Sequence, residues 1–300
     1  MTAQAPTAPQ TREPEAPPQR SAKPFRWGRF LRQLILFALA CFFLMPVYAL
    51  LVTALKDPAH VDVVKMWNLP DTFSLESFRT VIPQLLPGLR NSLTVSILAS
   101  TISSLLGAAN GFVLAKWRFP GADLAFPIIL FGMFIPYQAI IIPMFKLLSD
   151  VPVIHQRALG DTLFGLILVH IIYGLPITTL IFRSYFAGLP DELIEAAEVD
   201  GAGMLRTFFY IALPIAPPAF AVAMIWQFTS SWNDFLFGLI LTDTEHWPVT
   251  VALNNIAGGQ TVPFNQAMAS AFLASIPTLL VYALLGRFFM RGLMAGALKS

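Results

Sequence analysis

Five acids fall within ten residues, with no base among them, in the run Asp191-Glu192-Leu193-Ile194-Glu195-Ala196-Ala197-Glu198-Val199-Asp200. Pro190 suits the first position of a helix, and Asp191 and Glu192 suit its positively polarised first turn. Gly201 can take the left-handed position that closes such a helix. Leu193, Ile194 and Ala197 fall on one narrow apolar stripe at i, i+3, i+4 spacing, and Ala196 and Ala197 leave a smooth surface for close approach. The spacing therefore predicts a short helix with an acidic face. A solvated linker helix is the plainer alternative. Against it, Gly201 turns the chain, Met204 to Ile211 resume an apolar-rich helix, and Pro214 limits that helix. A rigid acidic handle of this kind suits a basic groove on a partner.

Residue sets for catalysis are missing. There is no G-x-x-x-x-G-K-[ST] loop, no H-E-x-x-H and no G-x-S-x-G elbow. The histidines His60, His155, His170 and His246 are scattered without metal-ligand spacing. His170 lies within an apolar run, where an ionisable residue is a functional candidate and a hydrogen-bonded neutral imidazole between helices is the plainer reading. Asp234 is the one acid near such a run, too little buried charge for a proton- or sodium-coupled carrier. Ile256-Ala257-Gly258-Gly259-Gln260 resembles a nucleotide-contacting LSGGQ signature, but without a phosphate loop it reads as a glycine-rich loop. A polytopic membrane enzyme would need a polar cluster at membrane depth, and none is visible.

The elements that carry these residues follow from composition. The 300 residues are 56% apolar and only 12% charged, with mean hydropathy +0.67. Soluble domains are about one-quarter charged, so the chain is expected to be an all-α integral membrane protein. A net charge of +2 gives no argument for nucleic acid. One cysteine, Cys41, allows no internal disulfide. Uncharged runs of about 20 residues cross about 30 Å of hydrocarbon as helix. Six are legible: Gln33–Leu55, Asn91–Ala115, Leu124–Phe145, Thr162–Phe182, Thr207–Asn233 and Ala267–Gly286. Residues 56–90 read as an external loop with room for a short interfacial helix. Pro248, Asn254, Asn255, Gly258, Gly259 and Pro263 make the stretch before the sixth run a loop.

Six spans put both termini on one side of the membrane. That side carries eleven Lys and Arg near the spans, against six on the other, so both termini are predicted cytoplasmic. The acidic run then lies in the longest cytoplasmic loop. Residues 1–24, rich in Pro, Ala, Thr and Gln, are expected to be a disordered cytoplasmic tail. They lack the pattern of a cleaved signal peptide. No internal repeat is evident.

Glu195-Ala196-Ala197, Gly201, nine residues, then Ile211-Ala212-Leu213-Pro214 match the EAA---G---------I-LP pattern at its defining positions. On these residues the chain resembles the permease subunits of binding-protein-dependent ABC importers. Trp232-Asn233-Asp234-Phe235 is similar to the W-N-[ED]-F run of carbohydrate permeases of the maltose-transporter type. Arg291-Gly292-Leu293-Met294-Ala295-Gly296-Ala297-Leu298-Lys299 is similar to their R-G-L-x-x-G-A-x-K ending, and Asn68-Leu69-Pro70 through Phe78 to their first external loop. The resemblance covers residues 25–300.

It implies a type I importer transmembrane domain in a bacterial or archaeal inner membrane, with a coupling loop at about 188–214. It implies a second permease subunit, two cytoplasmic ATPase subunits that bind ATP and Mg, an extracytoplasmic sugar-binding protein, and no cofactor held by this chain. Glu195, Ala196, Ala197, Asp200, Gly201, Leu213 and Pro214 would form the ATPase-coupling set. Hydroxyl-rich ligands need aromatic faces with amide or hydroxyl partners. Candidates for the sugar path are Asn91, Asn110, Gln138, Gln227, Ser230, Trp232 and Asn233, each with interhelical bonding or an interfacial role as its plainer reading. Within the family, a glycerol phosphate or osmolyte permease is the alternative.

Overall fold

A computed structural model describes residues 27–58, 63–117, 119–151, 159–259 and 263–297. The tail 1–24 and Gln260 lie outside them. Among the described residues there is no strand, and nearly all are helical. The chain divides into two compact units, Met1–Pro46 and Val47–Ser300. In the first, the described residues all belong to helix α1 (Trp27–Ala54), which is uncharged after Arg32.

The second unit holds the remaining helices. α2 (Glu76–Lys116), α5 (Leu163–Ala187) and α12 (Phe264–Ala297) are, like α1, long and apolar enough to cross a membrane. Two bent pairs join them. α3 (Ala122–Phe131) meets α4 (Tyr137–Asp150) at 97°, and α7 (Met204–Thr207) with α8 (Leu213–Ile215) meets α9 (Pro217–Trp232) at 79°. The chain therefore has four spans by length and composition, or up to six with each bent pair as one. Shorter helices are α6 (Glu192–Val199), α10 (Leu236–Leu241) and α11 (Val249–Ala257).

Prolines explain the breaks. Ile135 and Pro136 are both extended, with ψ 116° and 113°. A residue before proline is pushed out of the helical region, so the run expected as one span from Leu124 to Phe145 snaps there. Pro214 does not end its helix as the sequence suggests. Phe208–Ala212 widens into a π turn just before it, which accommodates a missing amide donor. The break falls at Ala216, ahead of Pro217 and Pro218.

Two expected loops are helical. Residues 76–90 are the start of α2, despite Pro83 and Pro87. Residues 249–257, read as loop from the prolines, asparagines and glycines in and around them, form α11, because Val249 and Val251 are buried and packing outweighs weak propensity.

The α2–α5 interface is the most extensive in the unit. α2 meets α5 through Ser103, Gly107 and Gly111, all buried. Small residues let membrane helices approach closely where water supplies no driving force. A Cβ on Gly107 would overlap Thr178, and one on Gly111 would lie 2.6 Å from the Arg183 amide nitrogen. Thr178 Oγ1 donates to the Ser103 carbonyl at 2.9 Å. Below this seam, Phe112, Phe182, Phe186 and Phe208 form a core with Ala212 and Ile194, which fastens α6 to α2 and α5.

Candidate functional site

The acidic run is helical as expected but shorter, since Pro190, Asp191 and Asp200 lie outside α6. Gly201 has φ +76°, Gly201 N donates to Glu198 O at 3.0 Å, and Ala202 N donates to Ala197 O at 2.9 Å. This pair of bonds is the Schellman closure, which satisfies carbonyls left free at a helix end. The apolar stripe is narrower than expected. Ile194 and Ala197 are buried, whereas Leu193 faces outward. Ala196 alone of the two alanines is on the outer surface, beside Glu195, Glu198 and Val199. Leu213 is half-buried against the phenylalanine core, and Pro214 is exposed.

Lys116 fixes the approach to α6. Its Nζ donates to the Leu189 carbonyl at 2.7 Å and to the Asp191 carboxylate. Glu195 and Glu198 line a cavity of about 650 Å³ with Lys116, Trp117 and Asp123. Lys116 reads in the sequence only as loop charge; nothing in its spacing announces this partner, 75 residues away.

A second cavity, of about 250 Å³, opens where the broken α3–α4 element meets α5 and α9. Three of the seven path candidates, Gln227, Ser230 and Asn233, line it. The i, i+3 pairs His170 and Tyr173 on α5, and Gln227 and Ser230 on α9, face the same space. Tyr137 enters from the first residue of α4, Asp234 from the turn after α9, and Phe237 from α10. The rings of Tyr137, Tyr173 and His170 lie 5.0, 5.2 and 5.8 Å from that of Phe237.

Polar contacts order the wall. Gln227 Nε2 donates to the His170 carbonyl at 2.8 Å. Gly174 makes this crossing possible, since a Cβ there would meet the Gln227 amide at 2.5–2.7 Å. The Asp234 carboxylate accepts from Phe237 N at 3.5 Å and Gly238 N at 3.1 Å, and its Oδ2 lies 3.7 Å from His170 Nε2. The Tyr173 hydroxyl is buried without a hydrogen-bond partner among the described residues.

The other four candidates lie elsewhere. Trp232 is buried, stacks on Phe228 and donates from Nε1 to the Ala274 carbonyl at 3.1 Å, joining α9 to α12. Asn91 Nδ2 donates to the Glu245 and Trp247 carbonyls at 3.0 and 3.1 Å. Asn110 is half-buried on α2, and Gln138 is exposed beside Tyr137. Tyr137, Tyr173 and Asp234 were not among the candidates. No pattern in the sequence marks Tyr137 or Tyr173, and Asp234 stood out only as an acid one residue past a polar helix end.

Residues 109–294 match the family described as binding-protein-dependent transport system inner membrane component. The chain belongs to this family. It is a permease subunit of an ABC importer, a multi-pass inner-membrane component and not an enzyme. A probable ABC transporter permease protein of Pyrococcus horikoshii is 38% identical over 276 residues, 91% of this chain and 98% of that one. The xylose/arabinose import permease protein of Haloferax volcanii is 34% identical over 284 residues, 88% of this chain and 91% of that one. The permease shares its fold with a chain of a bacterial ABC transporter involved in import of the acidic polysaccharide alginate, with TM-score 0.72, 19% identity, and 90% and 99% of the two chains covered.

Proposed function

We propose that this permease forms half of the translocation pathway of a sugar importer and is driven by separate ATPases through α6. A second permease subunit completes the pathway, an extracytoplasmic binding protein delivers the sugar, and two cytoplasmic ATPase subunits bind ATP and Mg. In this reading each bent pair is one span, both termini are cytoplasmic, and α6 lies on the ATPase side.

The observation that carries the coupling reading is the geometry of α6. A Schellman turn at Gly201 fixes its end, Lys116 fixes its start, and Ile194 and Ala197 key it into the core. Glu195, Ala196, Glu198 and Val199 are left on the outside. Such a handle can seat in a cleft, with Glu195 paired to a cation of the ATPase. ATP-driven closure would carry the handle with the helices packed against it and switch the pathway between two arrangements. The sugar reading is supported by the relative whose name specifies xylose and arabinose import, and by the aromatic, amide and hydroxyl lining of the 250 Å³ cavity.

The test is sugar uptake and ATPase activity of the reconstituted importer carrying Gly201→Val. A β-branched residue is strained at φ +76°. Uptake is expected to fall by about tenfold or more while the subunits still co-purify. Wild-type uptake by this variant sinks the coupling assignment, and ATPase activity indifferent to every sugar sinks the sugar assignment.

A further inference from the structure

We propose that Tyr185 pins a proline-made elbow between α8 and α9, so that movement of α6 reaches α9 instead of being lost as bending at Ala216. This rests on the coupling reading and names the residue that stiffens its path into the membrane.

The joint is weak in its own backbone. The α7–α8 arm and α9 meet at 79°, with Ala216 at φ −85° and ψ 1° between them. Pro217 and Pro218 follow, and neither carries an amide hydrogen. The carbonyls of Leu213 and Pro214 therefore cannot receive the donors that a continuous helix would give them. Ala216 N donates instead to the Leu213 carbonyl at 3.2 Å, and Phe220 N donates to the Ala216 carbonyl at 3.0 Å as α9 begins. On the other side of α8 lies the π turn Phe208–Ala212. A three-residue helix between a π turn and a proline pair has little of its own to resist bending.

Helix α5 supplies what the backbone lacks. The Tyr185 hydroxyl donates to the carbonyl of Ile215, the last residue of α8. One turn earlier on α5, Phe182 packs edge-on against Phe220 of α9, with ring centroids 4.6 Å apart. Residues three apart lie on one face of a helix. That face of α5 thus holds both arms of the elbow, α8 through Tyr185 and α9 through Phe182. The Tyr185 ring is steadied in turn by an edge contact with Phe186 at 5.7 Å. The two grips differ in kind. Packed rings can slide past each other, whereas a hydrogen bond is short in range and directional.

The elbow lies on the way out of α6. Ile194 of α6 shares one core with Phe208 and Ala212 of the π turn and with Phe182 and Phe186 of α5. A push on α6 is delivered to α8 before it reaches α9. With the Ile215 carbonyl held, α5, α8 and the start of α9 move as one body. With it released, the same push changes the angle at Ala216 and leaves α9 behind. Every residue of the joint belongs to this chain. Tyr185 acts through the Ile215 carbonyl and is a positioning residue.

The experiment uses the complete importer, with both permeases, its ATPases and its binding protein, in proteoliposomes. Tyr185→Phe removes the donor and keeps the ring. Sugar transported per ATP hydrolysed is expected to fall about fivefold or more, with unstimulated ATPase activity at the wild-type level. Para-aminophenylalanine at position 185 returns an N–H donor to the same place on the ring and is expected to restore most of the coupling. Spin labels at Tyr210→Cys and Trp226→Cys, both exposed, in a Cys41→Ser background, read the distance across the elbow in the same complex. Tyr185→Phe is expected to broaden that distance, and para-aminophenylalanine to narrow it again. Wild-type transport per ATP in Tyr185→Phe overturns the proposal. So does a lower unfolding temperature with unchanged coupling, which makes the bond structural only, and so does loss of assembly, which makes it a folding contact. Gly201→Val separates the two readings. If it abolishes uptake and Tyr185→Phe leaves coupling intact, the elbow alone falls; if neither has an effect, the coupling reading falls with it.

Discussion

The ammonium of Lys116, at the end of α2, is shared between the Leu189 carbonyl and the Asp191 carboxylate, so one side chain fastens a membrane helix to the segment that enters α6. The two partners differ in exposure. The lysine side chain is 5% exposed and the aspartate 79%. An ion pair with an exposed partner contributes about 0–1 kcal/mol. A buried hydrogen bond to a carbonyl is harder to replace, because the carbonyl is then left without its donor.

Asp191→Asn is therefore expected to lower stability by less than about 1 kcal/mol. Lys116→Met is expected to cost about 1–3 kcal/mol and to lower sugar-stimulated ATPase activity more than basal activity. Thermal unfolding of the assembled importer, with ATPase activity on the same samples, checks both. If Lys116→Met leaves stimulation at the wild-type level, α6 takes its position from the phenylalanine core alone.

Close approach of α2 to α5 predicts a second pair of effects. Gly111 lies against Phe182 and Arg183, and Gly107 against Thr178, with backbone atoms among the near neighbours in both cases. Backbone cannot swing aside as a side-chain tip can. Gly111→Leu and Gly107→Val are each expected to cost about 1–3 kcal/mol or to prevent assembly. Gly121→Ala is the contrast, since no atom lies within 4 Å of its added Cβ and only its φ of +88° resists. Detergent-resistant assembly and unfolding temperature give the ranking.

How far the sequence carried depends on the range of the physics involved. Helix α6 and the left-handed Gly201 were legible, because a helix end is decided within a few residues, although the helix runs only from Glu192 to Val199 and leaves Pro190, Asp191 and Asp200 outside it. Spans were legible as apolar runs. Their breaks at Ile135-Pro136 and Ala216-Pro217 were not, because other prolines, Pro83 and Pro87 in α2, Pro176 in α5 and Pro277 in α12, leave their helices unbroken. Whether a proline breaks a membrane helix depends on neighbours that can satisfy the freed carbonyls. The cavity was half legible. Gln227, Ser230 and Asn233 showed themselves as polar residues on one apolar element. Tyr137, Tyr173 and Asp234 gain their meaning only where three elements meet.

Asn91 separates a binding role from a structural one. It donates to two carbonyls of the 245–247 turn, and its neighbour Ser92 accepts from the buried Val249 amide at 2.8 Å. Together they dock the start of α11 on α2. Asn91→Ala is expected to cost about 1–2 kcal/mol and to leave the sugar KM unchanged. A raised KM at unchanged stability would move Asn91 into the sugar path.

The same turn gives a pH dependence. Asp243 Oδ1 accepts from the His246 amide at 3.1 Å and lies 2.5 Å from His246 Nδ1. Burial pushes the Asp243 carboxyl up, but the hydrogen bond and charge of His246, with the backbone amides of His246 and Glu245, outweigh it and hold it below its ordinary value. A carboxyl lowered in the folded state stabilises fully above its unfolded value, about 3.9. That contribution is lost as pH falls from there through the folded value. The pair is partly exposed, so the effect is local, on a turn also tied to Asn91. Hydrogen exchange at the His246 amide, corrected for intrinsic rates, is expected to accelerate between pH 5 and pH 3, and Asp243→Asn is expected to remove the acceleration. A pH-independent protection factor in the wild type would show that Asn91 alone holds the turn.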